Sequence, residues 1–255
     1  MPKILLTRNF SMVYKTITKT VDSTSATYLM DTKGQFLSYW EDIPTTNSDL
    51  PNINAVIEIP KFNFRKNQLN KEKAYHPIEQ DLRKINNVAV PRFYQQTLLF
   101  NYGYIPQTWE NSNKLYKIEG EELKGDGDPI DVIEISGRSI DDYIPHSCVV
   151  LGAYALVDQN ELDWKIIAIN EEDSYNEGIS NLEELVKRKP HLLEYIKNWF
   201  LRSKSLEGKK MNRYLFEGRL LEQDIALEII NDARNEYKLL KTLKEYADLQ
   251  RLYHL

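Results

Sequence analysis

The stretch Gly125-Asp126-Gly127-Asp128-Pro129-Ile130-Asp131-Val132 places three carboxylates within six residues. Negative charges this close repel one another, so a cation or solvent must offset them. Asp126 and Asp128 share one side of an extended chain, because side chains alternate along a strand. Pro129 lacks an N–H and restricts its neighbour, which re-aims the backbone so that Asp131 joins the pair. Gly125 and Gly127 keep the backbone uncrowded. Oxygen-only ligands at this density favour a hard cation such as Mg²⁺ over zinc. A surface turn is the competing reading, since Asp, Gly and Pro are all turn residues. The following Val132-Ile133-Glu134-Ile135 reads as a core strand, which weighs against a wholly solvated turn. An EF-hand does not fit: Asp131 falls at loop position 6, where glycine is required, and position 12 is Gly137.

Asp158 and Asp163 bracket a polar link, Asp158-Gln159-Asn160-Glu161, and Asp163 is followed by Trp164-Lys165. In a strand Asp163 and Lys165 point the same way, which sets a carboxylate beside an ammonium. A structural salt bridge accounts for that pair equally well. Five aspartates on adjoining strand ends, with lysines among them, are what a polyphosphate–metal centre needs. Metal ions neutralise phosphate oxygens and acidify a water, a carboxylate accepts its proton, and lysines hold the leaving phosphate.

The elements that must carry these residues are legible in outline. Ala55–Ile59, Asp131–Ile135, Cys148–Ala155 and Trp164–Ile169 are short β-branched or aromatic runs bounded by turn residues, and they predict strands. The link at 158–161 predicts a hairpin. Ser180-Asn181-Leu182-Glu183 resembles a capping box, with Leu182, Leu185 and Val186 at helical spacing behind it. Leu193, Ile196 and Phe200 predict a second helix, and Ile225, Ile229, Ala233, Tyr237 and Leu240 a long third one starting near Glu222. Strands first and helices after, with no linker between, predict a single mainly β domain: a barrel flanked by α-helices. Trp109, Trp164 and Trp199 read as core, and Cys148 as a small buried hydrophobe. The four histidines show neither metal-ligand spacing nor a triad partner.

The 255-residue chain has 42% apolar residues, 33 basic and 38 acidic side chains and a net charge of −5. It is long enough to bury a core unaided, and no apolar run approaches the ~20 residues of a membrane span. One cysteine rules out a disulfide framework and Cys-rich metal sites. The acidity, concentrated at the expected barrel mouth, opposes nucleic-acid binding.

The segment Gly125–Val132 resembles the signature of the family I soluble inorganic pyrophosphatases. The resemblance continues through Glu41-Asp42-Ile43-Pro44, Ile57-Glu58-Ile59-Pro60, Asn101-Tyr102-Gly103-Tyr104-Ile105-Pro106-Gln107-Thr108-Trp109 and Asp163-Trp164-Lys165. It runs from about Thr27 to Tyr237, and the eukaryotic branch is the closer match. It implies a five-stranded OB-like barrel (about 27–170) with a helical flank (about 180–255), within a domain spanning 22–255. It also implies Mg²⁺-dependent hydrolysis of pyrophosphate. Asp126, Asp131 and Asp163 match the ligands of the tightest metal, with Asp131 bridging to a second metal across a water or hydroxide. Asp128 matches the carboxylate that activates that nucleophile, Asp158 a ligand for metals arriving with substrate, and Glu58 an outer acid of the site. Lys66, Tyr102, Lys165 and Lys204 match positions that contact phosphate or orient those that do.

The departures are uneven. Gln68 stands where the family has glutamate, Leu98 and Ser203 where it has tyrosines, and its phosphate-binding arginine falls near Asn87 or Val88, with Arg92 close by. Each charged hydrogen bond lost from a transition state costs about 2.7–4 kcal/mol, or ~100–1,000-fold in rate. The intact aspartates point to an active hydrolase. The eroded phosphate cradle sustains a second reading: a catalytically impaired protein of this fold with an assembly role in a mitochondrial complex. Residues 1–21 hold Lys3, Arg8, Lys15 and Lys19, several hydroxyls and no acid, as mitochondrial transit peptides do, and Arg8-Asn9-Phe10-Ser11 resembles a processing site. A cytosolic N-terminus is the alternative. Eukaryotic members of the family imply a homodimer.

Overall fold

The computed structural model describes residues 14–21, 24–47 and 51–253. Its centre is a ring of strands: β1 (Asn52–Ile59), β2 (Asn101–Tyr104), β3 (Asp131–Glu134), β4 (Pro145–Asp158) and β5 (Glu161–Asn170). Antiparallel ladders join β1 to β2, β2 to β3, β1 to β4 and β4 to β5, while β3 and β5 run parallel. Each strand therefore has two neighbours and the ring closes, which leaves no unpaired edge among the five. The hairpin Leu115–Ile118/Glu121–Gly125 extends the sheet from β5.

These strands form where β-branched residues alternate with residues of the other face. On β5, Leu162, Trp164, Ile166 and Ala168 pack in one apolar cluster with Ala226, Ile230 and Ala233 of the last helix. Ile167 and Ile169 point the other way, into a cluster with Leu193, Ile196, Trp199 and Phe200. Asp163 and Lys165 share the parity of that second face, so the strand turns polar at one end while staying buried. The β4–β5 connection is a two-residue turn in which Gln159 (φ 51°) and Asn160 (φ 73°) both adopt positive φ, the geometry that a tight hairpin needs.

Four helices follow: α1 (Glu171–Glu177), α2 (Leu182–Arg188), α3 (Pro190–Ser203) and α4 (Gln223–Tyr253). The capping box lies one residue later than the sequence suggests. Asn181, not Ser180, caps α2 by accepting from the Glu184 N–H at 2.9 Å, and the Glu184 carboxylate accepts from the Ser180 N–H at 2.7 Å. Val186 is exposed, as is Ile225; the buried stripe of α4 is Ala226, Ile230, Ala233 and Tyr237. Helix α1 escaped the periodicity test because it buries only Ser174.

A second sheet covers one flank of the barrel. It contains the hairpin Lys15–Val21/Thr24–Met30 with Ile78–Gln80, Asn67–Leu69 and Phe36–Leu37, over a core of Leu29, Tyr39, Trp40, Ile43 and Tyr104. The leader expected over 1–21 overlaps this sheet. Lys15–Val21 pairs in register with Thr24–Met30 along seven positions, so the folded domain begins before residue 22. The processing-site segment Arg8–Ser11 lies outside the described residues.

Candidate active site

Ladder register fixes the centre of the site. Asp131 on β3 stands directly opposite Lys165 on β5 and Tyr104 on β2, so Tyr102, two residues away on the same face, reaches it diagonally. The Lys165 ammonium contacts Asp131, Asp163 at 2.6 Å and the Tyr102 hydroxyl at 3.0 Å; Tyr102 in turn donates to Asp131. Glu58 sits at the register shift in β1 between Ile57 and Ile59, a bulge that re-aims its side chain, and its carboxylate accepts from the Leu69 N–H.

The aspartate loop reaches the same place by a different route from the one its sequence suggests. Residues 126–130 are not a strand. Gly127 adopts φ +84° and the Asp126 carboxylate accepts from the Asp128 N–H at 2.8 Å, so a turn, rather than strand alternation, aims the carboxylates. The turn is laced to the neighbouring segment: Glu110 N–H donates to the Asp128 carbonyl and Gly127 N–H to the Glu110 carbonyl, both at 2.9 Å. Gly125 permits that approach, since a Cβ there would lie 2.4 Å from the Glu110 carbonyl.

The carboxylates Glu58, Asp126, Asp128, Asp131, Asp158 and Asp163 all border one open cavity, and Lys66, Tyr102, Lys165 and Lys204 border it too. Lys204 holds Asp158 at 2.9 Å, and Lys66 holds Asp81 at 2.9 Å. Lys71, absent from the sequence reading, pairs with Asp128 and donates to the Gly127 carbonyl at 2.7 Å. Gln68 lines the cavity as well, and its side-chain oxygen lies 3.4 Å from the Lys66 ammonium.

Two of the expected losses look different in three dimensions. Asn87 lies in the turn of an exposed hairpin, Leu82–Ile85/Val88–Pro91, remote from the cavity lining. Arg92, just past the hairpin base, enters the cavity instead. Its guanidinium donates to Asp81 at 2.7 Å, sharing the oxygen that Lys66 holds, and to both oxygens of Glu207 at 2.9 and 3.0 Å. Glu207 closes the turn that begins at Lys204, so Arg92 spans the space between the two lysines. Leu98 is fully buried in the second apolar cluster, whereas Tyr94 lines the cavity, edge-on to Trp199 at 5.0 Å. Sequence alignment by position could not find Tyr94, because it stands eight residues, not four, before Tyr102.

Sequence reasoning also missed Glu110. Oxygens of Glu110, Asp126 and Asp163 lie within 4.8 Å of one another, the one such acidic trio among the described residues. The only hint was an acid ending the Pro106–Trp109 run, in a segment with neither strand nor helix period.

The electrostatics are those of an acid-rich pocket. Burial, then Asp126 and Asp163, push the Glu110 carboxyl well above the usual range, and burial with Asp163 and Asp128 does the same to Asp126. Burial raises Asp163 to about 7, against the pull of Lys165. Burial would lower the Lys165 ammonium, but Asp131 and Asp163 outweigh it and hold it above its ordinary value. For Asp81 burial is likewise overcome, and Lys66 with Arg92 keep it below the usual carboxylate range. One oxygen each of Glu110 and Asp158 is buried without a hydrogen-bond partner. Orphaned carboxylate oxygens and all-oxygen donors fit a hard divalent cation.

A closed small barrel with flanking helices and a cavity lined by carboxylates and lysines fits the chemistry of a metal-dependent phosphate-ester or anhydride hydrolase. Comparison with known proteins narrows the class. The family model for inorganic pyrophosphatase matches residues 55–238. Soluble inorganic pyrophosphatase 6 of Arabidopsis thaliana, a chloroplastic protein, is 35% identical over 226 residues, 87% of this chain and 72% of the relative. The mitochondrial inorganic pyrophosphatase 2 of Mus musculus is 33% identical over 222 residues, 80% and 67% respectively. The crystal structure of the type I inorganic pyrophosphatase from Toxoplasma gondii superposes with a TM-score of 0.83 at 30% identity, covering 89% of this chain and all of that one. The chain belongs to the inorganic pyrophosphatase family, with that family's mainly β, OB-like fold.

Proposed function

We infer that the protein hydrolyses inorganic pyrophosphate to two phosphates with Mg²⁺ as its cation. The observation that carries this reading is the convergence of six carboxylates and four phosphate-side residues on one cavity, from six separate stretches of chain. Asp126, Asp131 and Asp163 would hold the tightest ion, Asp131 a second, and Asp158 those that accompany substrate. Bound there, the metal supplies charge neutralisation and an acidified water. Asp128, the most exposed of the carboxylates, would accept a proton from the attacking water, and Lys71 pairs with it. Lys165 and Tyr102 orient Asp131, while Lys66 and Lys204 receive the phosphates. Glu58 adds negative potential at the outer edge.

Arg92 takes the part of the family's arginine from a different position. The Asp81–Arg92–Glu207 chain preorganises a guanidinium between Lys66 and Lys204, where the leaving phosphate needs charge. Tyr94 returns a phenol to the wall that Leu98 lacks. Both support the catalytic reading over an assembly role.

Phosphate release from pyrophosphate by the purified protein in millimolar Mg²⁺ tests the assignment. Turnover at least ~100-fold lower in Asp128→Asn is expected; no release by the wild type above that variant overturns it. Mitochondrial targeting rests on the basic, acid-free start and the mitochondrial relative, with the leader ending before Tyr14. Import into isolated mitochondria with N-terminal shortening checks it. The homodimer rests on family resemblance and is read by sedimentation.

A further inference from the structure

We propose that Glu110 is a ligand of the innermost divalent cation, closing a Glu110–Asp126–Asp163 cage behind the aspartate loop. The inference rests on the metal-dependent reading of this site and adds to it a residue outside the expected ligand set. Charge partners set Glu110 and Asp126 apart from the aspartates around them. Asp131 shares Lys165 with Asp163, Asp128 has Lys71, and Asp158 has Lys204. Among the described residues, neither Glu110 nor Asp126 pairs with any cationic side chain.

Glu110 is 3% exposed, and its two oxygens are unequal. Oε1 accepts from the Trp164 N–H at 2.9 Å, which fixes the carboxylate beside β5. Oε2 is buried without a partner, and a carboxylate oxygen of Glu110 lies within 4.8 Å of oxygens of Asp126 and Asp163. A buried carboxylate oxygen with no partner is costly, so a fold that keeps one calls for a group that binds it. A divalent ion matches two carboxylates that lack a cationic partner. Bonds of about 2.1 Å place octahedral ligands roughly 3.0 Å apart when adjacent and roughly 4.2 Å apart when opposite. A separation of at most 4.8 Å is of the same order as these spacings.

The backbone is arranged to hold this geometry. The reciprocal 2.9 Å hydrogen bonds between Glu110 and residues 127 and 128 tie the trio's first two members together, and Gly125 lets their segments touch. Glu110 is therefore tied through its backbone to the aspartate loop.

Mn²⁺ binding to the full-length protein without pyrophosphate, counted by the loss of free-ion EPR signal, tests the assignment. Glu110→Gln keeps the shape and the Trp164 contact but removes the charge. The tightest site is expected to weaken at least 10-fold, and the rise in Tm on adding Mn²⁺ to shrink, while the metal-free Tm stays equal or increases. Combining Glu110→Gln with Asp126→Asn should lose less than the two single losses added, since both act on one ion. If Glu110→Gln does not fold, Glu110→Asp takes its place and is expected to lose affinity in the same direction. Unchanged Mn²⁺ affinity in the variant overturns the proposal, whatever the phosphate release. Conversely, loss of Mn²⁺ affinity in Glu110→Gln together with no phosphate release from pyrophosphate by the wild type sinks the hydrolase assignment and leaves this one standing.

Discussion

Asp131, Asp163 and Lys165 stand on barrel strands whose ladder partners fix them residue by residue, whereas Lys66, Arg92 and Lys204 stand on a strand margin, past a hairpin base and ahead of a short turn. The two walls of the cavity differ accordingly in what they tolerate. A one-residue slip in β3 or β5 would exchange the buried apolar and acidic faces, so the metal wall keeps its residues at their positions. The cationic wall needs only that charge arrive in the right volume. There Arg92 arrives from beyond the hairpin because backbone hydrogen bonds join Lys66, Asp81 and Arg92 into one junction: Lys66 N–H to the Arg92 carbonyl, Asp81 N–H to that of Lys66, and Arg92 N–H to that of Asp81. Position-by-position comparison does not see a guanidinium that reaches the cavity from elsewhere in the chain.

Breaking the metal wall should cost most. Asp128→Asn is expected to reduce kcat by ~100–10,000-fold, the span of a lost general base, with stability unchanged because Asp128 is largely exposed. Steady-state phosphate release and a melting curve check both halves. On the cationic wall, Arg92→Ala should reduce kcat/KM by ~100–1,000-fold, with Arg92→Lys recovering part of it. An Arg92→Ala enzyme within a few-fold of wild type would show that the guanidinium serves only to tie Asp81 to Glu207.

A reversal sharpens the comparison. Leu98→Tyr restores the family's residue by position, but Leu98 is fully buried among apolar side chains. The substitution is expected to lower stability by about 1–3 kcal/mol through overpacking, with no gain in turnover. Denaturant unfolding measures the first and kinetics the second. The smallest effect belongs to Asp81→Asn. Because Lys66 and Arg92 hold Asp81 below the usual carboxylate range, its ion pairs contribute stability that is complete above the unfolded pKa of about 4 and disappears as pH falls through the folded one. The wild type should exceed Asp81→Asn in Tm at pH 7, and the gap should close toward pH 3.

Much of this was legible in the chain itself. The strand runs at β1 and β3–β5, the polar hairpin link, the helices α2–α4 and the carboxylates and lysines of the site other than Glu110 and Lys71 follow from residue type, alternation and resemblance. Other features did not. The capping residue of α2 moved by one, because Asn181 and Ser180 are equally good caps until the helix direction is set. The strand at Lys15–Val21 was hidden inside a basic, hydroxyl-rich segment whose composition also suits a leader. Tyr94 and Arg92 were displaced along the chain from where the family pattern places their counterparts. Glu110 carried no spacing signal at all.

Residue types and their order along the chain determined that this protein carries clustered carboxylates and lysines on the strands and loops of one barrel, because charge and period-2 burial are local properties. Which acids face one another, and which arginine and tyrosine reach the cavity, was decided by ring closure, the turn at Gly127 and the hairpin base. Those contacts join residues far apart in sequence, and their free energy exists only once the barrel has formed.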